Sequence, residues 1–178
     1  AVGNNGTIQI SSDNGSSFDD ESTGSYDFKK IIFKNNTFVA VGKYLVKAYS
    51  TDNGTTWNTD YTPYYSYYYP AFKDIAYGNG KFVTVGDIAF FASSMTGTWW
   101  DSYYGGCIKT GGDDYYAYCQ NYIESITYSF NLGIFVIVGS TNGYSNDSSV
   151  IHSSVDGKNW SLKLSGTYGY LNDVIYLD

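Results

Sequence analysis

Residues able to do chemistry are few in this chain and poorly spaced for it. It has one histidine, two glutamates (Glu21 and Glu124), two cysteines and no arginine, and all ten of its bases are lysines. Glycoside hydrolysis needs two opposed carboxylates at a defined separation, and with most aspartates in turn-like contexts no such pair stands out. His152 sits in a strand-like run just before a turn sequence, where an imidazole is expected to pack between sheets rather than act as a base. There is no nucleophile elbow, and "GNGKF" at 78–82 has the wrong length for a phosphate loop. No catalytic residue is nominated, and the chain is expected not to be an enzyme.

Metal and redox chemistry fare little better. One histidine and two cysteines do not make a zinc set. Asp113 and Asp114 in "GGDDYY", and the acids of "DDES" at 19–22, could ligate calcium but lack the spacing of a calcium loop. Solvated acids are the expectation, with calcium the one ion they could take and no other cofactor foreseen. Cys107 and Cys119 share one glycine-flanked segment. Joined, they would close a loop worth about 2–3 kcal/mol and imply an oxidising compartment; the alternative is two buried thiols.

What the sequence offers instead is aromatic surface. "YTPYYSYYYP" at 61–70 holds six tyrosines in ten positions, and "DSYYGGCIKTGGDDYYAYCQN" follows at 101–121. Candidate ligand-binding residues are Tyr64, Tyr65, Tyr67, Tyr68, Tyr69, Tyr103, Tyr104, Asp113, Asp114, Tyr115 and Tyr116, with Tyr144 of "STNGYSNDSS". Tyrosine among Ser, Gly and Asn gives large amphipathic contact area at low entropic cost, as in antibody paratopes, and aromatic platforms beside hydroxyls and amides suit sugar rings. The plainer alternative is that these rings roof the core or pack on one another.

The elements that must position these segments are repeated. "TFVAVG" ends at Gly42, "KFVTVG" at Gly86 and "IFVIVG" at Gly139, and the chain opens with "AVG". After each comes a short strand and a turn cassette: "SSDNGSSF" from Ser11, "STDNGTTW" from Ser50, "SSMTGTWW" from Ser93 and "SSVDGKNW" from Ser153. A further strand precedes each complete copy ("KKIIF", "KDIAY", "ESITY"), and "NDVIY" lies near the C-terminus. Each unit therefore reads as four strands, and internal repetition at this period marks a repeat architecture.

Ser-x-Asp-x-Gly-x-x-Trp resembles the Asp-box, or BNR, repeat of β-propellers, and the fuller unit is similar to tandem repeats of secreted bacterial and bacteriophage proteins. The resemblance implies that Asp13, Asp52 and Asp156 brace turns, that Gly15, Gly54 and Gly157 take positive φ, that Gly97 belongs to the third copy's box, and that Phe18, Trp57, Trp100 and Trp160 pack between blades. Met95 stands where the third copy should have its Asp, and Asp156 is adjacent to its glycine, so these two turns are expected to be of different type or less tightly braced. Among Asp-box proteins sialidases hold their substrate carboxylate with arginines, which this chain lacks.

The expected fold is all-β: a β-propeller of four-stranded antiparallel blades, about four in this chain, forming a single domain. Blade 1 is 172–178 plus 1–26, blade 2 is 27–71, blade 3 is 72–122 and blade 4 is 123–171, the N- and C-terminal strands completing one blade. Phe33 to Gly42 and Tyr77 to Gly86 each span nine residues, whereas Tyr176 to Gly3 across the termini supplies five, so the closing blade is ragged or the chain is part of a longer one. Near-continuous apolar strands fit sheets covered on both faces. In such meanders the one-to-two turns and the cassettes share one end. The two-to-three loops and the crossings, where every irregular segment falls, share the other.

Charge and hydropathy narrow the partners. A net charge of −7 with scattered lysines argues against nucleic acid, and no apolar run is long enough for a membrane helix. The expectation is a noncatalytic recognition module that binds a glycan or cell-surface receptor, or alternatively another protein as part of a larger assembly such as a phage tail. It is expected in a secreted, surface or virion setting, with oligomers possible.

Overall fold

In the computed structural model of the chain, residues 1–61, 70–103, 121–141 and 148–177 are described. Four antiparallel sheets follow one another. The first pairs β1 (Gln9–Ile10) with β2 (Asp19–Asp20). Three four-stranded meanders follow: β3 (Phe28–Lys34), β4 (Thr37–Gly42), β5 (Lys47–Ser50) and β6 (Asn58–Asp60); β7 (Phe72–Gly78), β8 (Lys81–Gly86), β9 (Phe91–Ser94) and β10 (Asp101–Tyr103); β11 (Asn121–Ser129), β12 (Ile134–Thr141), β13 (Ser148–Ser154) and β14 (Ser161–Tyr168). A single 3₁₀ turn at Asp87–Ala89 is the one helical element among the described residues.

Each strand with an apolar residue at every position feeds two cores. Val39 and Val41 of β4 face the following sheet with Phe72, Ile75 and Phe82, while Ala40 faces the preceding one with Ile8, Val46 and Ala48. Val83 and Val85 of β8 likewise face forward onto Ile126, Phe135 and Ile137 of the last sheet. Every sheet-to-sheet contact is thus built alike, and no sheet could hide both faces alone. Directly opposed aromatic pairs bind the first two strands of each meander: Phe33–Phe38, Tyr77–Phe82 and Tyr128–Phe135, with ring centroids 4.4, 4.8 and 4.7 Å apart.

The glycine closing each "VG" has a steric cause. The register of all three first-to-second strand ladders shifts at one place, leaving Lys29, Lys73 and Glu124 as bulged, unpaired residues. A Cβ on Gly42, Gly86 or Gly139 would lie 2.0, 1.9 and 1.9 Å from the carbonyl oxygens of Asp27, Ala71 and Tyr122. Only glycine lets the second strand meet a first strand bent in this way.

The cassettes form the expected braced turns. Asp52 accepts hydrogen bonds from the Thr56 N–H and hydroxyl and from the Ser50 hydroxyl (2.9, 2.6 and 2.7 Å), and Asp13 makes the same set with Ser17 and Ser11. These bonds, the side-chain hydroxyl first, lower both pKa values to about 2. Gly15, Gly54, Gly97 and Gly157 all have positive φ. Two expectations are corrected. The third box begins at Ser94, not Ser93, so Thr96 rather than exposed Met95 takes the aspartate's place and accepts from the Thr98 and Trp99 N–H groups. The fourth begins at Ser154. Like the third it is of a different type from the first two, as expected, its serine accepting from the glycine N–H three residues on instead of four. It is not weakly braced, however: Asp156 accepts from the Lys158 and Asn159 N–H groups, the Asn159 amide and the Ser154 hydroxyl. Partial burial opposes its ionisation, yet these bonds hold its pKa well below the usual carboxylate range.

Each box also joins its sheet to the preceding one. Trp57, Trp100 and Trp160 pack half-buried into the three intersheet cores, and Trp57 and Trp100 donate Nε1–H to the carbonyls of Gly54 and Gly97. Phe18 does not follow the expectation. It is 55% exposed, because no preceding sheet covers it. Nor do the termini pair: 171–177 runs without strand structure, and β1–β2 remains two-stranded. Asp173 nonetheless accepts from the Ser125 hydroxyl at 2.7 Å, and Ser125 also meets Asp74 at 2.8 Å, which in turn pairs with Lys30 at 3.3 Å. Lys30, Asp74 and Ser125 hold equivalent places in successive first strands and Asp173 continues their row, so the C-terminal segment lies where a next inner strand belongs.

Candidate binding cleft at the irregular end

The segments flanking the irregular stretches converge at one end of the sheets. Thr141 and Ser148 are paired neighbours at the end of β12 and β13. Lys43 bridges Ala71, the Leu45 N–H donates to the Pro70 carbonyl at 3.3 Å, and the Tyr26 and Tyr61 rings lie 6.0 Å apart. The expected partition into a short-turn end and an irregular end therefore holds for the described flanks.

At that irregular end lies a cleft of about 470 Å³ lined by Lys29, Lys43, Ala71, Lys73, Asp87 and Glu124. Three of these six are the bulged residues, one from the first strand of each meander. A bulge turns its side chain off the two packing faces, and here the same offset repeated in successive sheets sends Lys29, Lys73 and Glu124 to one opening. Lys73 is the hub. It pairs with Asp87 at 2.9 Å and with Glu124, and lies 5.6 Å from the Tyr122 ring centroid. Burial disfavours its charge, but the hydrogen bonds to Glu124 and Asp87 outweigh that and raise its pKa. Asp87 is held in turn by the Ala71 N–H at 3.0 Å. Lys43 pairs with Asp27 at 2.6 Å, and that hydrogen bond raises the lysine's pKa and lowers the aspartate's. Three of the chain's ten lysines thus meet in a protein of net charge −7.

The candidates Tyr64, Tyr65, Tyr67, Tyr68, Tyr69, Tyr104, Asp113, Asp114, Tyr115, Tyr116 and Tyr144, and the pair Cys107 and Cys119, lie outside the described residues. Tyr103 ends β10, opposite Phe91, so it belongs to an outer strand rather than a crossing. Asp19 and Asp20 likewise form β2, where Asp20 accepts from the Ser22 N–H at 3.0 Å. Among the described residues no three His, Cys, Asp or Glu side chains gather as metal ligands, and no helix is long and apolar enough to cross a membrane. His152 is fully buried in β13, facing the preceding sheet where Ala48 and Ala92 stand in the other two meanders, and neither ring nitrogen has a hydrogen-bond partner in the described structure. Sequence reasoning missed the cleft. Its one available sign was the polar doublet before each first-strand apolar run: "KK", "KD", "ES".

Repeated four-stranded meanders stacked face to face, with their first strands toward a common axis, define a β-propeller fold. No family model and no curated protein matches the chain. Among solved structures it is similar to YCF48 from Cyanidioschyzon merolae, at 17% identity and a TM-score of 0.62 over 99% of this chain and 55% of that one. It is also similar to a YCF48 bound to D1 peptide, at 15% identity and 0.55 over 91% and 45%. A mutant of Trypanosoma rangeli sialidase displaying trans-sialidase activity matches at 14% identity and 0.52 over 94% and 34%. At these identities the likeness is one of fold, and the chain spans between a third and just over half the length of these structures.

Proposed function

We propose that the chain is a noncatalytic recognition module that grips a polypeptide partner at its irregular end, in a secreted, surface or virion protein. One observation carries this reading: three successive bulges deliver Lys29, Lys73 and Glu124 to a single cleft at the end where all the irregular segments attach. Bulges cost ladder hydrogen bonds, and their repetition at one position is a device for aiming side chains. Lysines interspersed with Asp87 and Glu124 suit a chain of alternating charge, and the partly exposed stems of the lysines add apolar contact. A solved structure of similar fold holds a bound peptide, which favours a polypeptide over a small molecule.

The second reading is a glycan or cell-surface receptor held by the tyrosine-rich segments, favoured by their Tyr, Ser, Gly and Asn composition. The two separate experimentally. Peptide arrays of varied charge and a glycan array are probed with the chain, with Lys29→Ala/Lys73→Ala and with Tyr67→Ala/Tyr68→Ala. Peptide binding that weakens with salt and falls tenfold or more in the lysine variant supports the first reading. Glycan binding lost only in the tyrosine variant replaces it with the second. Turnover of chromogenic glycosides would overturn the noncatalytic reading altogether.

A further inference from the structure

The sheet-to-sheet seam is directional, and each end of the array presents one unused half of it. Within the chain, the glycine of each box abuts the sheet before it. A Cβ on Gly97 would meet Val39 at 2.8 Å, one on Gly157 would meet Val83 at 2.4 Å, and one on Gly54 would meet Ile10 at 2.1 Å. Gly15 of the first box has nothing within 4 Å, and its aromatic Phe18 is 55% exposed. The complementary half lies on the forward face of the last sheet. Val39 and Val83 are fully buried by the boxes they receive, but the equivalent Val136 is only half-buried, as is Ile151 two pairs further along the ladder. Val138, directly opposite Ile151, is buried within the chain itself, so the open part of the face is Val136, Ile151 and Leu164, the last opposite Ile151 and 41% exposed. Phe130 and Leu132, in the β11–β12 turn, are 63% and 67% exposed. In the preceding sheet the matching turn is engaged, Asn79 and Lys81 donating to the carbonyls of Val155 and Asp156 in the next box at 3.2 and 3.1 Å.

We infer that a second copy of this chain fills the seam, the Ser11–Phe18 box of one copy seating on the Val136, Ile151 and Leu164 face of the other. The occupant is identified by continuity: the face is shaped for a box of this repeat, and the free box is the same chain's own. The C-terminal segment fits the same arrangement. Asp173 already occupies the next inner-strand place beside Ser125, and Ile175 and Leu177, 73% and 81% exposed, extend toward the partner's first sheet, where Ala1 and Val2 line the free edge of β1 and no inner strand lies beyond them. A head-to-tail contact closes only if its rotation completes a turn. Two copies bring together eight sheets, within the range of about four to eight found for such rings.

Light scattering after size exclusion tests this on the chain itself. The expected particle has twice the 19.7 kDa chain mass. Phe18→Asp and Leu164→Asp, both at positions already exposed in one copy, should each give single-chain mass with an unchanged far-ultraviolet spectrum. Mixing the two variants should restore a pair, because one seam then joins an intact box to an intact face. A monomer for the unaltered chain overturns the inference, whether the face stays open or another partner fills it. A particle that grows beyond two chains overturns closure, and a dimer indifferent to either substitution overturns the seam.

Discussion

At the scale of single residues, the buried polar groups decide how the molecule responds to its medium. Burial lowers the His152 pKa to about 4 from 6.5. The unfolded chain therefore binds the proton first, so stability is unaffected above pH 6.5 and declines as pH falls from there through about 4, by up to about 3 kcal/mol. His152→Ala, copying Ala48 and Ala92, should remove that slope in urea titrations at pH 7, 5.5 and 4.5; an unchanged slope would assign it to other groups. Lys47 poses the opposite problem. Its side chain is 1% exposed at the place where Phe91 stands in the next sheet, facing a largely exposed Asp60 at 3.4 Å. Burial, only partly offset by Asp60, lowers its pKa. Breaking or replacing a buried charge of this kind has opposite outcomes. Lys47→Met should leave stability equal or higher, and Asp60→Ala should lower it, both read as urea midpoints.

At the scale of elements, the bulge and its opposing glycine form one device. Gly86→Ala places a methyl 1.9 Å from the Ala71 carbonyl and should destabilise by more than the ~1 kcal/mol typical of a point substitution. Phe82→Ala, emptying a fully buried site between sheets, should cost about 3–5 kcal/mol. Both are measured by denaturant melts. The glycine's regularity was legible in the sequence, but its reason was not, because the clash involves a carbonyl on the neighbouring strand, one full hairpin earlier in the chain. The bulged residues were hidden for a related cause. Lys29, Lys73 and Glu124 differ in type and sit beside Lys30, Asp74 and Ser125, so each doublet reads as ordinary polar residues before a strand. Box register failed for a third reason. Ser50 to Trp57 is one residue longer than Ser94 to Trp100 or Ser154 to Trp160, and the Ser93–Ser94 and Ser153–Ser154 doublets admit both alignments.

At the scale of the whole molecule, repetition made the fold readable, and the interruption of repetition made part of it unreadable. Nothing in the letters around Phe18 distinguishes it from Trp57, Trp100 or Trp160. Its exposure reflects a neighbouring sheet that is absent, which is a property of the array. Trp100→Ala should therefore lower stability by about 3 kcal/mol or more, whereas Phe18→Ala, in a variant held single by Leu164→Asp, should change it by less than about 0.5 kcal/mol. Parallel thermal melts of the two would check this. Asp173 shows the reverse case: its place beside Ser125 follows the repeat even where strand pairing does not.

The bulges have an evolutionary consequence. Because Lys29, Lys73 and Glu124 point away from both packing faces, their identities are decoupled from the cores behind them, and three letters can drift from basic to acidic while the frame stays fixed. A repeat built this way can change the charge lining its cleft by point substitution at one offset per sheet, without disturbing how its sheets pack.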